Sequence, residues 1–317
     1  MAKSNFVNAG YWFTHTNTQL PISSTDTNLF THLFCGHVGI DSQTYELSIS
    51  DSTKTLIDQF SKTIKEENLE VKTLLSIGGD DAKGDRFAAM ASDSSNRSIF
   101  IKSLISKARE SNFDGVDLQW LYPSSMEEIA NFEALNIQYP NQVMRRTLNW
   151  VNVIAYDIYT PTLWREETGP SSAFYNPNTN SSSGYFGLPS KMIVFGLPFH
   201  GWAWKLENSK NHNVFSAAQG PAQGQNISME GLIEYRNIKE FIADNNANNV
   251  LMERNFVIGY TNFSSTWIAY EDEDTIKFKI SIVKGKLGLN GYFVWNIAAD
   301  NHHHSLAKAS STEWKKG

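Results

Sequence analysis

The sequence predicts an α/β fold of the TIM (β/α)8 barrel type, short of one strand-helix step after its fourth strand and carrying an α+β insertion before its last. Three observations predict it. Short runs of β-branched and aromatic residues alternate with amphipathic stretches, the pattern of a parallel sheet with crossover helices. Roughly 90 residues separate the strand ending at Pro198 from the one beginning at Gly291, far more than a crossover needs. Only residues 124–149 lie between the fourth strand and the next, where a barrel of about 250 residues spends about 31 on each strand-helix unit.

Strands are expected at 6–12, 32–40, 71–77, 115–120, 150–157, 192–198 and 291–297, each a run of apolar residues bounded by turn formers. Helical spacing marks 53–68, 96–111 and 125–138. Asn96 and Ser98, ahead of Ile99, Phe100, Ile101, Leu104 and Ile105, read as N-caps of the second helix. The barrel is assigned to 1–202 and 271–317, and the insertion to 203–270, with apolar segments at 250–260 and 266–270 and a helix near 228–245. Residues 171–183, rich in Ser, Asn and Thr, read as a surface loop.

The chain has 317 residues, 41% hydrophobic and 19% charged, with 9 Trp, 12 Tyr and 19 Phe, which excludes a disordered chain. A formal net charge of -6 gives no electrostatic reason to expect nucleic acid or anionic lipid as partner. No apolar run approaches the 18 or more residues of a membrane span, and the residues after Met1 lack the apolar core of a signal peptide. Cys35, the single cysteine, reads as a small buried hydrophobe within Leu33-Phe34-Cys35. His37 reads as a satisfied core histidine. His302-His303-His304 cannot all face one ion in regular backbone geometry, so no metal is expected, and nothing else in the chain calls for a cofactor. The acidic run Glu271-Asp272-Glu273-Asp274 reads as a solvated face or a helix N-terminus.

The chemistry-bearing segment is Phe113-Asp114-Gly115-Val116-Asp117-Leu118-Gln119-Trp120-Leu121. Alternation puts Asp117, Gln119 and Leu121 on one strand face, directed to the barrel interior. An inward carboxylate is costly without hydrogen bonds, so Asp117 needs a structural partner or a ligand. This segment resembles the signature strand of glycoside hydrolase family 18, and the chain is similar throughout to the plant class V chitinase branch. Supporting runs are Gly10-Tyr11-Trp12-Phe13, Thr31-His32-Leu33-Phe34-Cys35, Lys72-Thr73-Leu74-Leu75-Ser76-Ile77-Gly78-Gly79, Trp150-Val151-Asn152-Val153-Ile154-Ala155-Tyr156-Asp157 and Gly291-Tyr292-Phe293-Val294-Trp295.

The resemblance implies a substrate-assisted glycosidase in which the last acid of Asp-x-x-Asp-x-Asp-x-Glu protonates the glycosidic oxygen while the substrate's N-acetyl group attacks. Here Asp114 and Asp117 match, but Gln119 stands for the third acid and Leu121 for the catalytic Glu. Leucine has no proton to give, so the expectation is a catalytically inactive chitinase-like lectin. By the same resemblance Trp295 floors the central sugar subsite, Tyr156 and Asp157 hold the N-acetyl group, and Tyr11 and Trp204 line the groove. The implied ligand is chitin or another N-acetylglucosamine oligosaccharide. A protein inhibitor or defence module, with a protein partner or self-association, and a residual or altered hydrolase are the competing expectations. The short stretch after Pro123 falls where relatives have their fifth strand. The resemblance implies a secreted or vacuolar protein; no signal peptide is read in the sequence as given, and a cytoplasmic location is the expectation only if Met1 is the native start.

Overall fold

The computed structural model describes residues 6–79, 84–120, 141–175 and 188–316. Its contacts separate into two compact units, 8–149 and 150–317 with the first seven residues. Strands were expected at seven places, and all seven are present.

In unit 8–149, β1 (Val7–Phe13), β2 (His32–Ile40), β4 (Lys72–Gly78) and β5 (Gly115–Gln119) run parallel in the spatial order β5-β4-β2-β1, and the short β3 (Leu47–Ser48) pairs antiparallel with β2. Trp12, Cys35, Leu75 and Val116 lie level across the four strands. β1 and β4 are buried almost throughout because helices cover the outer face, which is why they read as continuous apolar runs. Helix α1 (Asp51–Glu67) buries Ile57, Phe60, Ser61 and Ile64, an i, i+3, i+4, i+7 stripe. Phe60 meets Trp12 at 5.4 Å between ring centroids, and Ser61 shares a 2.7 Å hydroxyl contact with Thr73 of β4. Burying Ile57, Phe60 and Ile64 contributes about 1.5–3 kcal/mol each.

Helix α2 (Gly84–Ser92) precedes α3 (Ser94–Glu110). The N-cap of α3 is Asp93, whose carboxylate accepts from the amides of Ser95 and Asn96 at 2.7 and 3.1 Å; the expected caps Asn96 and Ser98 lie inside the helix. Asp93, three residues before Asn96, wins because its oxygen reaches both free amides at once. The expected helix at 125–138, and Leu121, lie outside the described residues. Among the described residues, β5 pairs only with β4 and exposes Val116 and Leu118 on one face. Helix α4 (Asn141–Thr147) ends the unit.

In the second unit, β6 (Val151–Val153) is shorter than the expected 150–157 and pairs parallel with β7 (Ile193–Pro198). The chain then passes almost directly into β8 (His200–Leu206), the centre of an antiparallel sheet with β9 (Ala218–Pro221), β10 (Leu232–Glu234), β11 (Asn248–Glu253), β12 (Ile258–Phe263) and β13 (Thr266–Tyr270). Its core gathers Trp202, Trp204, Leu206, Phe256, Ile258, Tyr260 and Trp267. Helix α5 (Tyr235–Asn245) packs Tyr235 and Ile238 inward. Helix α6 (Glu273–Gly285) leads to β14 (Gly291–Trp295), which pairs with β7 so that Trp295 lies level with Pro198, and α7 (Ser305–Lys315) follows.

The acidic run divides at the start of α6. Asp272 is a helix N-cap, accepting from Glu273 N–H inside a capping box with Thr275. Glu271 is not on a solvated face. It is fully buried, ion-paired with the equally buried Lys279 and hydrogen-bonded by the hydroxyls of Ser172 and Thr275. A buried carboxylate persists only when a cation and donors surround it, and Lys279, eight residues along, supplies the charge.

Candidate functional site

The strands of unit 8–149 deliver one polar cluster. Parallel register sets Ser76 beside Asp117 and Gly78 beside Gln119, and Tyr11 on β1 reaches the same point. A single carboxylate oxygen, Asp117 Oδ2, accepts from Ser76 Oγ at 2.7 Å, Tyr11 Oη at 3.0 Å and Gln119 Nε2 at 3.1 Å. Gln119 Nε2 also donates to Ser76 Oγ at 3.1 Å, while the buried Gln119 Oε1 has no hydrogen-bond partner among the described residues. Burial without a cation pushes the Asp117 carboxyl above the usual carboxylate range, against the opposing pull of the three donors. Gly78 lets the strands close this tightly. Its φ of +112° suits glycine, and a Cβ there would stand 2.2 Å from the Gln119 carbonyl oxygen.

Asp114, the first acid of the segment, faces away from this chemistry. It accepts from Thr73 N–H at 2.9 Å and pairs with Lys65 at 2.9 Å and Lys72 at 3.4 Å. Burial raises its carboxyl, but the Thr73 amide and the two lysines outweigh that and hold it low, the signature of a structural acid. Tyr11, expected from the resemblance to line the groove, is buried and stacked on Phe34 at 4.3 Å, and its hydroxyl donates to Asp117. His37 is half-buried and packs on Phe13 at 4.7 Å. Burial pushes the Cys35 thiol well above its usual range, leaving it an inert core residue.

The second unit builds a different cluster around Asp157. After β6 the chain turns sharply, with Asp157 at φ +60°, a left-handed conformation that Asp tolerates better than most residues. The turn delivers Asp157 Oδ1 to two donors, His200 Nε2 at 2.9 Å and Trp202 Nε1 at 2.7 Å. Tyr156 meets the His200 ring edge to face at 5.9 Å and Phe293 at 6.2 Å. Burial raises the Asp157 carboxyl, yet the His200 charge and the two hydrogen bonds prevail and hold it below the ordinary value. It therefore remains an anionic acceptor.

Trp295 ends β14 half-buried. Trp204, expected from the resemblance to line the groove, is fully buried instead, its indole N–H on the Trp164 carbonyl at 2.9 Å and its ring against Trp267 at 5.5 Å. The antiparallel sheet needs a large apolar side chain at its centre, and that position leaves Trp204 no face for a ligand. His200 and Trp202 were not singled out from sequence. Their spacing of two along an extended run immediately after the sixth strand was the available signal, since it sets both on one face with Trp204.

The family model for glycosyl hydrolases family 18 matches residues 7–142 and 133–300. Its two pieces meet inside the short stretch 124–149. A class V chitinase of Arabidopsis thaliana is 35% identical, covering 97% of this chain and 89% of the relative. That comparison runs over 350 positions, whereas 97% of 317 residues is about 307, so about 43 positions of the relative have no counterpart here. Among solved structures, a mutant class V chitinase from Nicotiana tobaccum in complex with NAG4 superposes with a TM-score of 0.89 at 31% identity, covering 98% of this chain and 99% of that one. A chitinase-like agglutinin from Robinia pseudoacacia superposes with a TM-score of 0.82 at 30% identity, covering 96% and 99%. With the strand-helix order, the antiparallel insertion and both clusters in place, the chain belongs to glycosyl hydrolases family 18 as a plant class V chitinase-like protein with the TIM-barrel-type fold of that family.

Proposed function

We propose that this protein binds N-acetylglucosamine oligosaccharides without hydrolysing them. The observation that carries the reading is the segment Asp114-x-x-Asp117-x-Gln119-x-Leu121: leucine occupies the place where the family resemblance calls for a proton donor. Gln119 adds to it, because a neutral amide cannot oppose the positive charge of an oxazolinium intermediate. Binding functions are supported by Trp295, whose indole suits the apolar face of a pyranose ring, and by the anionic acceptor Asp157 beside Tyr156. The tobacco enzyme similar to this chain holds NAG4, and the similar Robinia protein is an agglutinin. Calorimetric titration with chitin tetramer, followed by mass spectrometry of the same mixture, tests both halves. Binding heat with intact tetramer is expected, and Trp295→Ala should weaken binding by about tenfold, the order of one lost aromatic stack with its buried area. Released dimer or monosaccharide would sink the inactive reading.

A second reading, an altered hydrolase, is favoured by the relatives being mostly named chitinases and by Asp117, whose raised carboxyl keeps a proton more readily than an ordinary aspartate. Product formation that disappears in Asp117→Asn would establish it in place of the first.

A further inference from the structure

We propose that His200 is the positioning residue for Asp157: it holds one carboxylate oxygen so that the other is presented to an N–H or O–H donor of the ligand. The inference rests on the carbohydrate-binding reading for its ligand but not for its geometry. An indole N–H can only donate, and a carboxylate oxygen in this setting accepts, so Oδ1 takes both the Trp202 and the His200 bond. His200 must therefore carry a proton on Nε2, which it does as the Nε2–H tautomer or as the imidazolium. Either form keeps the bond. Among the described residues nothing donates to Oδ2, and the Asp157 side chain retains 28% exposure, so this oxygen is the acceptor left for a ligand.

Backbone geometry does not by itself fix that oxygen. The turn at Asp157 is anchored by Ile158 N–H on the Ser171 carbonyl at 2.9 Å, which sets the Cα but leaves the carboxylate free to rotate. His200 removes the freedom. Its ring is 5% exposed, edge-on to Tyr156 at 5.9 Å and to Trp202 at 6.0 Å, so one imidazole locks the acceptor between the tyrosine preceding it and the indole that shares its oxygen. The ligand class that fits is one presenting a hydrogen-bond donor beside an apolar face, as an N-acetylated sugar does.

His200→Phe keeps both ring contacts and deletes only the donor, whereas His200→Gln restores an N–H near the Nε2 position. The experiment reads the Trp202 indole 1H–15N resonance, identified by its loss in Trp202→Phe, and the calorimetric affinity for chitin tetramer. In His200→Phe the indole resonance should shift and affinity should fall by about tenfold, the equivalent of one charge-assisted hydrogen bond, and His200→Gln should recover both. An indole resonance unmoved in His200→Phe overturns the proposal, as does unchanged tetramer affinity in that variant. If the wild-type protein itself gives no heat, the carbohydrate reading fails, and the indole resonance alone decides the role of His200.

Discussion

Asp117 lies within a parallel strand and Asp157 in the turn after one, yet each accepts hydrogen bonds on a single carboxylate oxygen, and the two are driven in opposite directions by their surroundings. Around Asp117 the donors are two hydroxyls and an amide, and burial pushes its carboxyl up. Around Asp157 the donors are an imidazole and an indole, and the imidazole's charge turns the balance downward. Donor count does not decide the outcome, since Asp117 has the larger number. What decides it is the imidazole partner, which favours the ionised form of Asp157 and has no equivalent beside Asp117; this marks Asp157 as the acceptor ready for a ligand and Asp117 as the acid whose ionised form is disfavoured.

The largest expected effect comes from giving the Asp117 cluster what it lacks. Gln119→Asp combined with Leu121→Glu supplies an additional acid and a proton donor, and on the proposed reading it should raise chitin tetramer turnover by about 10² to 10⁴ over a wild type at background. Mass spectrometry of time courses measures it. Wild-type turnover equal to that of the double variant would erase the distinction between the clusters.

Next in size is Asp157→Ala. It strands two buried donors, His200 Nε2 and Trp202 Nε1, and each unsatisfied group costs about 1–3 kcal/mol. A fall in Tm of several degrees is expected by calorimetry, together with loss of tetramer binding. A variant as stable as wild type would mean that the two hydrogen bonds contribute nothing net.

The seven parallel strands were legible because buried strands between helix layers carry unbroken apolar runs, as Val7–Phe13 and Ile193–Pro198 do. The antiparallel insertion was legible as surplus length and as the apolar segments that became β11, β12 and β13. Less visible were features set by distant partners. Asp157 meets its two donors 43 and 45 residues along the chain, so no local spacing announces them. Glu271 read as solvated because its neighbours are acidic, yet Lys279 on the next helix draws it inside. Trp204 read as a groove residue from the resemblance, although the same alternation that sets it beside Trp202 directs it into the sheet's core.

The two carboxylates should also separate by pH. Asp157, held low in the folded protein, contributes stability that is present above its unfolded value of about 3.9 and is lost as pH falls through its lower folded value. Asp117, pushed up, behaves oppositely: its contribution is present below about 3.9 and is lost as pH rises through the higher folded value. Urea melts between pH 3 and 6 should therefore show the stability difference between wild type and Asp157→Asn widening with pH, and that between wild type and Asp117→Asn narrowing or changing sign. Parallel trends would contradict the opposed electrostatics.

The smallest effect is expected for Asp117→Asn at neutral pH, and it is the most discriminating. All three donors converge on Asp117 Oδ2, and an asparagine carbonyl oxygen can stand in that place and accept the same bonds from Ser76, Tyr11 and Gln119. The amide nitrogen then takes the place of the other carboxylate oxygen. Removing the charge removes the burial penalty that pushes the carboxyl up, so stability should stay within about 1 kcal/mol of wild type or rise slightly. The matching change at Asp157 keeps an oxygen for His200 and Trp202 but discards the anion that the imidazole stabilises, so it should cost more. If Asp117→Asn is the more damaging of the two, then the hydroxyl cluster requires an ionised acid, and the assignment of Asp157 as the anionic centre of the pair is reversed.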